Sequence, residues 1–335
     1  MKDKTLNHRE RLEKVITGEI PDRIPISFWR HFPVDDQTPE GLAKAVIEYQ
    51  TLFDFDFIKI TPSSSFCLQD WGVKDTWNGN PEGTRDYGAP IITLPGDFTK
   101  IYQLNPNKGY LGKQLDCIRI IKDQISGSTP IIQTIFSPLS QIKNLVGKNK
   151  LGLFIRLYPD EIKEILKIIS ATTIQFILEC IKLKIDGIFY AVQQAQYNIL
   201  SKAEFLEFGK SFDLEILSFL NPFWLNLLHI HGSDIMFNDL LDYPVQVINW
   251  HDRETRPNLG EARSFTPKVF CGGISQVNTM VLGNKEKIKN EILDSIRLTN
   301  SKRFILGTGC VLPVTTPQGN IRIARDLVDI IQRTG

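Results

Sequence analysis

Trp224-Leu-Asn-Leu-Leu-His-Ile-His-Gly232 reads as a buried strand that ends in histidines and leaves through a glycine. In an extended segment side chains alternate between faces, so His229 and His231 point one way and Ile230 the other. Gly232 permits a sharp exit into the next loop. Outward from this stretch, short apolar runs of the same kind recur, separated by longer segments of helical period. The strand candidates are Ile24 to Arg30, Phe55 to Thr61, Ile131 to Phe136, Gly187 to Ala191, Trp224 to His229, Val245 to Trp250, Val269 to Cys271 and Arg303 to Leu306.

Nearly every candidate is followed by a helical segment, the order expected of an α/β chain folded as a (β/α)8 TIM barrel; a doubly wound open sheet is the second option. The expected helices are an amphipathic one near Asn7 to Gly18 ahead of the barrel, Pro39 to Phe53, Lys113 to Gln124, helices within Pro138 to Lys184, Lys202 to Phe219, Lys285 to Thr299 and Thr316 to Arg333. Residues Ser63 to Tyr110, rich in Gly, Pro, Asp and Asn, form a long insertion after the second strand, read as an excursion with a hairpin. The 335 residues suit one barrel domain over 1–335.

Lys and Arg number 39 against 38 Asp and Glu, so no global field exists to hold nucleic acid or an anionic membrane. The charged Met1 to Glu10 has no signal-peptide character and no run reaches a membrane span, which points to the cytoplasm. Five widely spaced cysteines, Cys67, Cys117, Cys180, Cys271 and Cys310, suit reduced thiols better than a disulfide framework. Gly147 to Gly152 lacks the Gly-Lys-Ser/Thr ending of a phosphate loop, and the lysines from Lys143 to Lys150 read as a solvated helix end and loop. A homodimer is compatible with such a chain.

His31, His229, His231 and His251 all fall where expected strands run out, and Cys310 follows the last of them. Barrel chemistry sits at the carboxyl ends of the strands, so these residues are candidates for one soft metal centre. Zinc accepts imidazole nitrogen and thiolate sulfur, and catalytic zinc keeps three protein ligands with a fourth position open. His229, His231 and Cys310 would form that set. The plainer alternatives are a histidine that caps a helix, one bonded locally, and a cysteine that fills the core. His251 reads as a base, a fourth ligand or a loop histidine, with Asp252 beside it as a second catalytic candidate. Arg30 and His31 could grip a substrate carboxylate or make a surface ion pair. Gln193, Gln194 and Gln196 could orient substrate or be solvated loop residues, and Trp29 and Trp250 belong to the barrel wall.

Arg-Ile-Pro-Ile-Ser-Phe-Trp-Arg at Arg23 to Arg30, Gly272-Gly273-Ile274, and Leu306-Gly307-Thr308-Gly309-Cys310 leading to Pro313, Thr316-Pro317 and Asn320 resemble the uroporphyrinogen decarboxylase superfamily over nearly the whole chain. The resemblance implies a (β/α)8 barrel and two functional options. The decarboxylase branch carries paired arginines after the first strand, an Asp after the second, a Tyr after the third and a His in the last motif. Here Arg30 alone matches; Pro62 or Ser63, Asn144 and Thr308 stand at the other positions.

The cobalamin-linked methyltransferase branch places zinc on a His-x-Cys pair and a late Cys, matched here by His229, by His231 in place of the cysteine, and by Cys310. The resemblance therefore implies a zinc-dependent methyltransferase. A methyl group would move between a small O-, N- or S-methyl compound, or a thiol or folate acceptor, and a corrinoid (cobalamin) cofactor. A separate carrier protein would present the corrinoid, since no cobalamin-binding Asp-x-His-x-x-Gly signature occurs here. His251, Asp252 and Arg30 would be catalytic, with Arg30, His31, Gln193, Gln194, Asn249 and Thr308 facing substrate. Porphyrinogen decarboxylation, zinc-dependent hydrolysis and corrinoid or tetrapyrrole binding without turnover are the alternatives.

Overall fold

Leu225 and Leu227 join one apolar cluster while Leu228 and Ile230 join another, the alternation a pleated strand demands. A computed structural model describes residues 5–147 and 149–333, which leaves Lys148, part of the loop expected around Lys143 to Lys150, outside the described residues. The strands are β1 (Ile58–Ile60), β2 (Asp75–Thr76), β3 (Asp86–Tyr87), β4 (Ile131–Phe136), β5 (Gly187–Val192), β6 (Leu227–Ile230), β7 (Val247–Trp250), β8 (Val269–Ile274) and β9 (Phe304–Thr308). All but β2 and β3 form one parallel sheet in the order β1-β4-β5-β6-β7-β8-β9. Helices separate nearly all of these strands, so the crossovers lie outside and the sheet curls into a barrel.

The eighth barrel position differs from the expectation. Ile24 to Arg30 runs alongside β9 but contributes a single parallel bridge, Ile26 with Leu306, rather than a strand. Pro25 has no amide proton to give to a ladder. The Ile26 amide donates instead to the Asp56 carboxylate at 2.7 Å. Main-chain bonds still seal the ring on both sides: Ser27 N–H to the Leu306 carbonyl at 3.0 Å and Asp56 N–H to the Ile26 carbonyl at 2.9 Å. Asp56 also accepts from Arg11 and Arg23, each at 2.6 Å, which ties the N-terminal helix His8–Thr17 to the barrel.

Two apolar layers result. One lies between the sheet and the surrounding helices, and the other fills the barrel, where Leu12 and Val15 of the N-terminal helix meet Trp29, Phe57, Ile132, Phe189, Val247, Val269 and Ile305. Trp250 belongs to the outer layer, its indole donating to the Pro257 carbonyl at 2.7 Å.

Several boundaries move for identifiable reasons. The helix expected from Lys113 starts at Gly109, because the Asp70 carboxylate accepts the Tyr110 amide at 2.9 Å across the insertion. Pro138 to Lys184 divides into Pro138–Val146, Leu151–Leu157 and Pro159–Lys182, with breaks at Gly147 and Pro159. Lys202 to Phe219 contains a π-turn at Leu206–Lys210, and the closing helix begins at Gln318, after Pro317. The insertion holds the expected hairpin as the short β2-β3 pair.

Candidate metal centre

Parallel register builds the site. Ala191 pairs with His229, His229 with Asn249 and Asn249 with Cys271, which makes one row across β5 to β8. Ile230 pairs with Trp250, so His231 and His251, each the next residue, emerge side by side at the carboxyl ends of β6 and β7. Their rings lie 5.1 Å apart by centroid. Gly232, at φ +102°, lets the chain turn away, and a Cβ there would stand 2.2 Å from the Gln196 amide that braces the turn. Gly309 lets the loop after β9 press against β7: a Cβ would lie 2.6 Å from the His251 Cα. That approach brings Cys310 to the histidines.

The ligand atoms of His229, His231, His251 and Cys310 all lie within 4.8 Å of one another. Cys310 Sγ is 3.6 Å from His229 Nε2 and 3.8 Å from His231 Nδ1, and His251 Nε2 is 3.4 Å from His231 Nδ1. Tetrahedral zinc with ordinary bond lengths sets about 3.3 Å between two nitrogens and about 3.6 Å between nitrogen and sulfur. Three of the six edges lie near those values, and the others, none longer than 4.8 Å, would shorten as the side chains close on an ion. Its four atoms are three borderline nitrogens and one soft sulfur, a donor set suited to zinc.

Surrounding residues decide which nitrogen faces inward. Asn249 donates both amide hydrogens, to the Cys271 carbonyl at 2.8 Å and the Thr308 carbonyl at 2.9 Å. Its oxygen is therefore the atom that faces His229 Nδ1, 2.6 Å away, which makes Nδ1 the protonated nitrogen. The Nε2 lone pair is left to face Cys310. Gln276 spends its amide nitrogen on the Val311 carbonyl at 2.6 Å and hydrogen-bonds the His251 ring. Such outer partners are how proteins orient metal-binding imidazoles.

Burial holds all three histidines neutral. It is the first cause that pulls His231 down to about 4, His229 well below the ordinary imidazole range, and His251 down as well. Burial also pushes the Cys310 thiol up to about 12, so a cation must arrive before the proton leaves at neutral pH.

Other expected site residues are placed differently. Asn249 and Thr308 are fully buried, and the Thr308 hydroxyl donates to the Cys310 carbonyl at 2.6 Å, so both position the centre rather than face substrate. His31 stands outside the donor group; its Nδ1 meets the Pro62 carbonyl at 3.0 Å, and burial lowers it to about 3, which removes it as a cation for a carboxylate. Arg30 lies over the Phe32 ring at 5.4 Å. Asp252 accepts the Gly273 amide at 3.1 Å and is raised by burial to about 7, an anchor for β8. Gln193 and Gln196 bond to each other, while Gln194 is buried beside them.

Sequence reading missed Lys59. It is the inward-phased residue of β1, between Ile58 and Ile60, which pack outward, and that alternation was the available signal. Its ammonium lies 4.2 Å from the centre of the Phe189 ring, and Phe189 stacks on His229.

A family model described as uroporphyrinogen decarboxylase (URO-D) matches residues 7–331. The chain belongs to the uroporphyrinogen decarboxylase family. A solved structure described as a methyltransferase from Methanosarcina mazei superposes with a TM-score of 0.85 at 17% identity, covering 97% of this chain and 99% of that one. A B12-independent methionine synthase from Shewanella sp. W3-18-1, in complex with selenomethionine, superposes at 0.60 with 12% identity, covering 94% and 95%. At such identities the likeness is one of fold. No curated protein matches the sequence.

Proposed function

We propose that the protein is a methyltransferase of this family, which moves a methyl group between a small substrate and a corrinoid presented by a separate carrier protein. The observation that carries the reading is the convergence of His229, His231, His251 and Cys310 at the barrel mouth. His229, His231 and Cys310 would hold zinc, with His251 filling the fourth position until a substrate heteroatom takes it. Zinc, when bound, supplies Lewis acidity that makes a substrate heteroatom a better nucleophile or a methylated one a better leaving group.

This chain's residues supply the rest. Asn249 keeps the His229 lone pair directed inward, Gln276 orients His251, and Phe189 and the apolar barrel interior exclude water from below. Support for methyl transfer also comes from the descriptions of the two similar structures, a methyltransferase and a methionine synthase. Porphyrinogen decarboxylation is disfavoured because Arg30 stands alone and His31 is buried neutral. Hydrolysis is disfavoured because Asp252, the carboxylate next to His251, is committed to the Gly273 amide. No described helix is long and apolar enough to cross a membrane, and we place the enzyme in the cytoplasm.

Mixing zinc-loaded protein with a methylated corrinoid protein and a panel of small thiols tests the proposal by absorbance. Conversion to cob(I)alamin is expected, with loss of about 100-fold or more in His229→Ala. A corrinoid that binds and keeps its methyl group with every acceptor would overturn it.

A further inference from the structure

Residues Ser63 to Tyr110, the insertion after β1, carry five carboxylates, and four of them are committed. Asp70 accepts the Tyr110 amide, Asp75 the Gln69 side-chain amide, Asp86 the Asn78 side-chain amide and Asp97 the Thr93 amide. The fifth, Glu82, is half-buried, and its carboxylate makes no hydrogen bond or ion pair among the described residues. Arg85, three positions on, passes it by, bonding to the Asp36 carboxylate and the Pro33 carbonyl instead. Burial raises the Glu82 carboxyl above the usual range, and no partner lowers it. Partial burial of an unpartnered carboxylate is unfavourable, and a glutamine would occupy the same place without that penalty.

The backbone fixes where this carboxylate stands. The Asn80 side-chain oxygen accepts the Glu82 amide at 2.9 Å, and the Asn80 carbonyl accepts the Gly83 amide at 2.8 Å and the Trp77 indole at 3.1 Å, which closes a tight turn. On one side of Glu82, the Pro81 carbonyl accepts the Val314 amide at 2.7 Å, so the turn is bonded to the loop that carries Cys310. On the other, Gly83, at φ +77°, presses on the residue after the first barrel segment: a Cβ there would stand 2.6 Å from the His31 Cβ and 3.2 Å from the Val314 side chain. Glu82 is therefore held at the rim of the mouth, between the carboxyl ends of the first and last barrel segments.

Its charge reaches the donor group, where it follows burial as the next influence that raises the Cys310 thiol. Lys59, whose charge also reaches that thiol, comes from inside the barrel and forms no ion pair with Glu82. A molecule that binds the centre through a heteroatom points its other end out through the mouth, past Glu82. A carboxylate with no partner describes a receptor for a cation.

We propose that Glu82 is a specificity-determining residue that pairs with an ammonium group on the substrate, and so selects a small methyl donor or acceptor with a protonated amine a few bonds from the reacting heteroatom. The inference rests on the methyl-transfer reading and deepens it. Glu82 supplies the charge and accepts the ammonium hydrogen bond, and the turn over Asn80 holds it in place. Once the cation is bound, the desolvation of the carboxylate is compensated.

The test uses cobalt(II)-loaded protein, whose visible spectrum reports thiol binding at the donor group without turnover. The probes are 3-amino-1-propanethiol and 3-mercapto-1-propanol, which differ by an ammonium in place of a hydroxyl. The ammonium probe should bind about five-fold or more tightly, the scale of one partly screened charge-assisted hydrogen bond, and its advantage should shrink as salt is raised. Glu82→Gln should bring the two probes to parity, with the loss falling on the ammonium probe, while Glu82→Asp keeps part of the preference. Equal affinity in the unsubstituted protein, a preference that survives Glu82→Gln, or a Glu82→Gln variant that weakens both probes alike would overturn the subsite. Failure to take up cobalt at all would instead overturn the metal centre and the methyl-transfer reading built on it.

Discussion

Asn249 has no rotational choice: two carbonyls take its amide hydrogens, and only its oxygen is left for His229. Removing that oxygen frees the His229 tautomer and lets the ring turn, without touching a donor atom. Asn249→Ala is expected to weaken zinc affinity by about 10- to 100-fold in competition against a chelator, the usual consequence of losing an outer partner of a metal-binding histidine. Unchanged affinity would show that Asn249 serves packing alone. At this scale His229, His231, His251 and Cys310 were legible, since an expected strand end and a two-residue alternation suffice to place them. The roles of Asn249 and Thr308 were not, because a polar residue at a strand end reads equally as a substrate contact or a brace. Only the partners of its amide or hydroxyl distinguish the two.

Among the elements, the short helix Ser211–Leu217 is fastened to the sheet by a buried carboxylate. Asp213 accepts from Tyr190 Oη of β5 at 2.6 Å and from Tyr243 Oη at 2.7 Å, with no cation among these partners. Burial raises Asp213 to about 7 against the two hydrogen bonds that lower it. Between about pH 4, where an unfolded aspartate ionises, and about pH 7, the folded state holds a proton that the unfolded state has lost. This group's contribution therefore falls as pH rises through that window and is level above it. Compared with Asp213→Asn, the unsubstituted protein should lose on the order of 3 kcal/mol of stability from pH 4 to pH 7. Denaturant titrations of both proteins read that difference; a constant gap would contradict the shift. Strand existence was legible from apolar runs, whereas boundaries were not wherever a distant residue set them, as Asp70 does for the helix beginning at Gly109.

The whole molecule separates a structural end from a chemical end. At the amino end of β1, Asp56 gathers Arg11, Arg23 and the Ile26 amide, and so completes the ring where strand pairing is reduced to one bridge. Asp56→Asn would leave Arg11 with Asp22 and Arg23 with Asp329 but remove the buried charge the two share, and should cost about 1–3 kcal/mol, read as a lower denaturation midpoint. Metal content of the protein that remains folded should not change, because the donors stand at the opposite end of the strands. A variant that keeps its midpoint would show that the barrel closes without this carboxylate. The barrel class was legible from the order of strands and helices, but the reduction of the first strand was not, because Pro25 and a side-chain acceptor 30 positions later divert its hydrogen bonds.

In the proposed centre, three imidazoles and one thiolate grip one zinc ion. X-ray absorption at the zinc edge, on protein purified without added metal, tests it most directly. About one zinc per chain is expected, with a shell of nitrogen at about 2.0–2.1 Å and sulfur at about 2.3 Å, the sulfur absent in Cys310→Ser. A protein free of zinc, or one whose zinc shell contains no sulfur, would contradict the account.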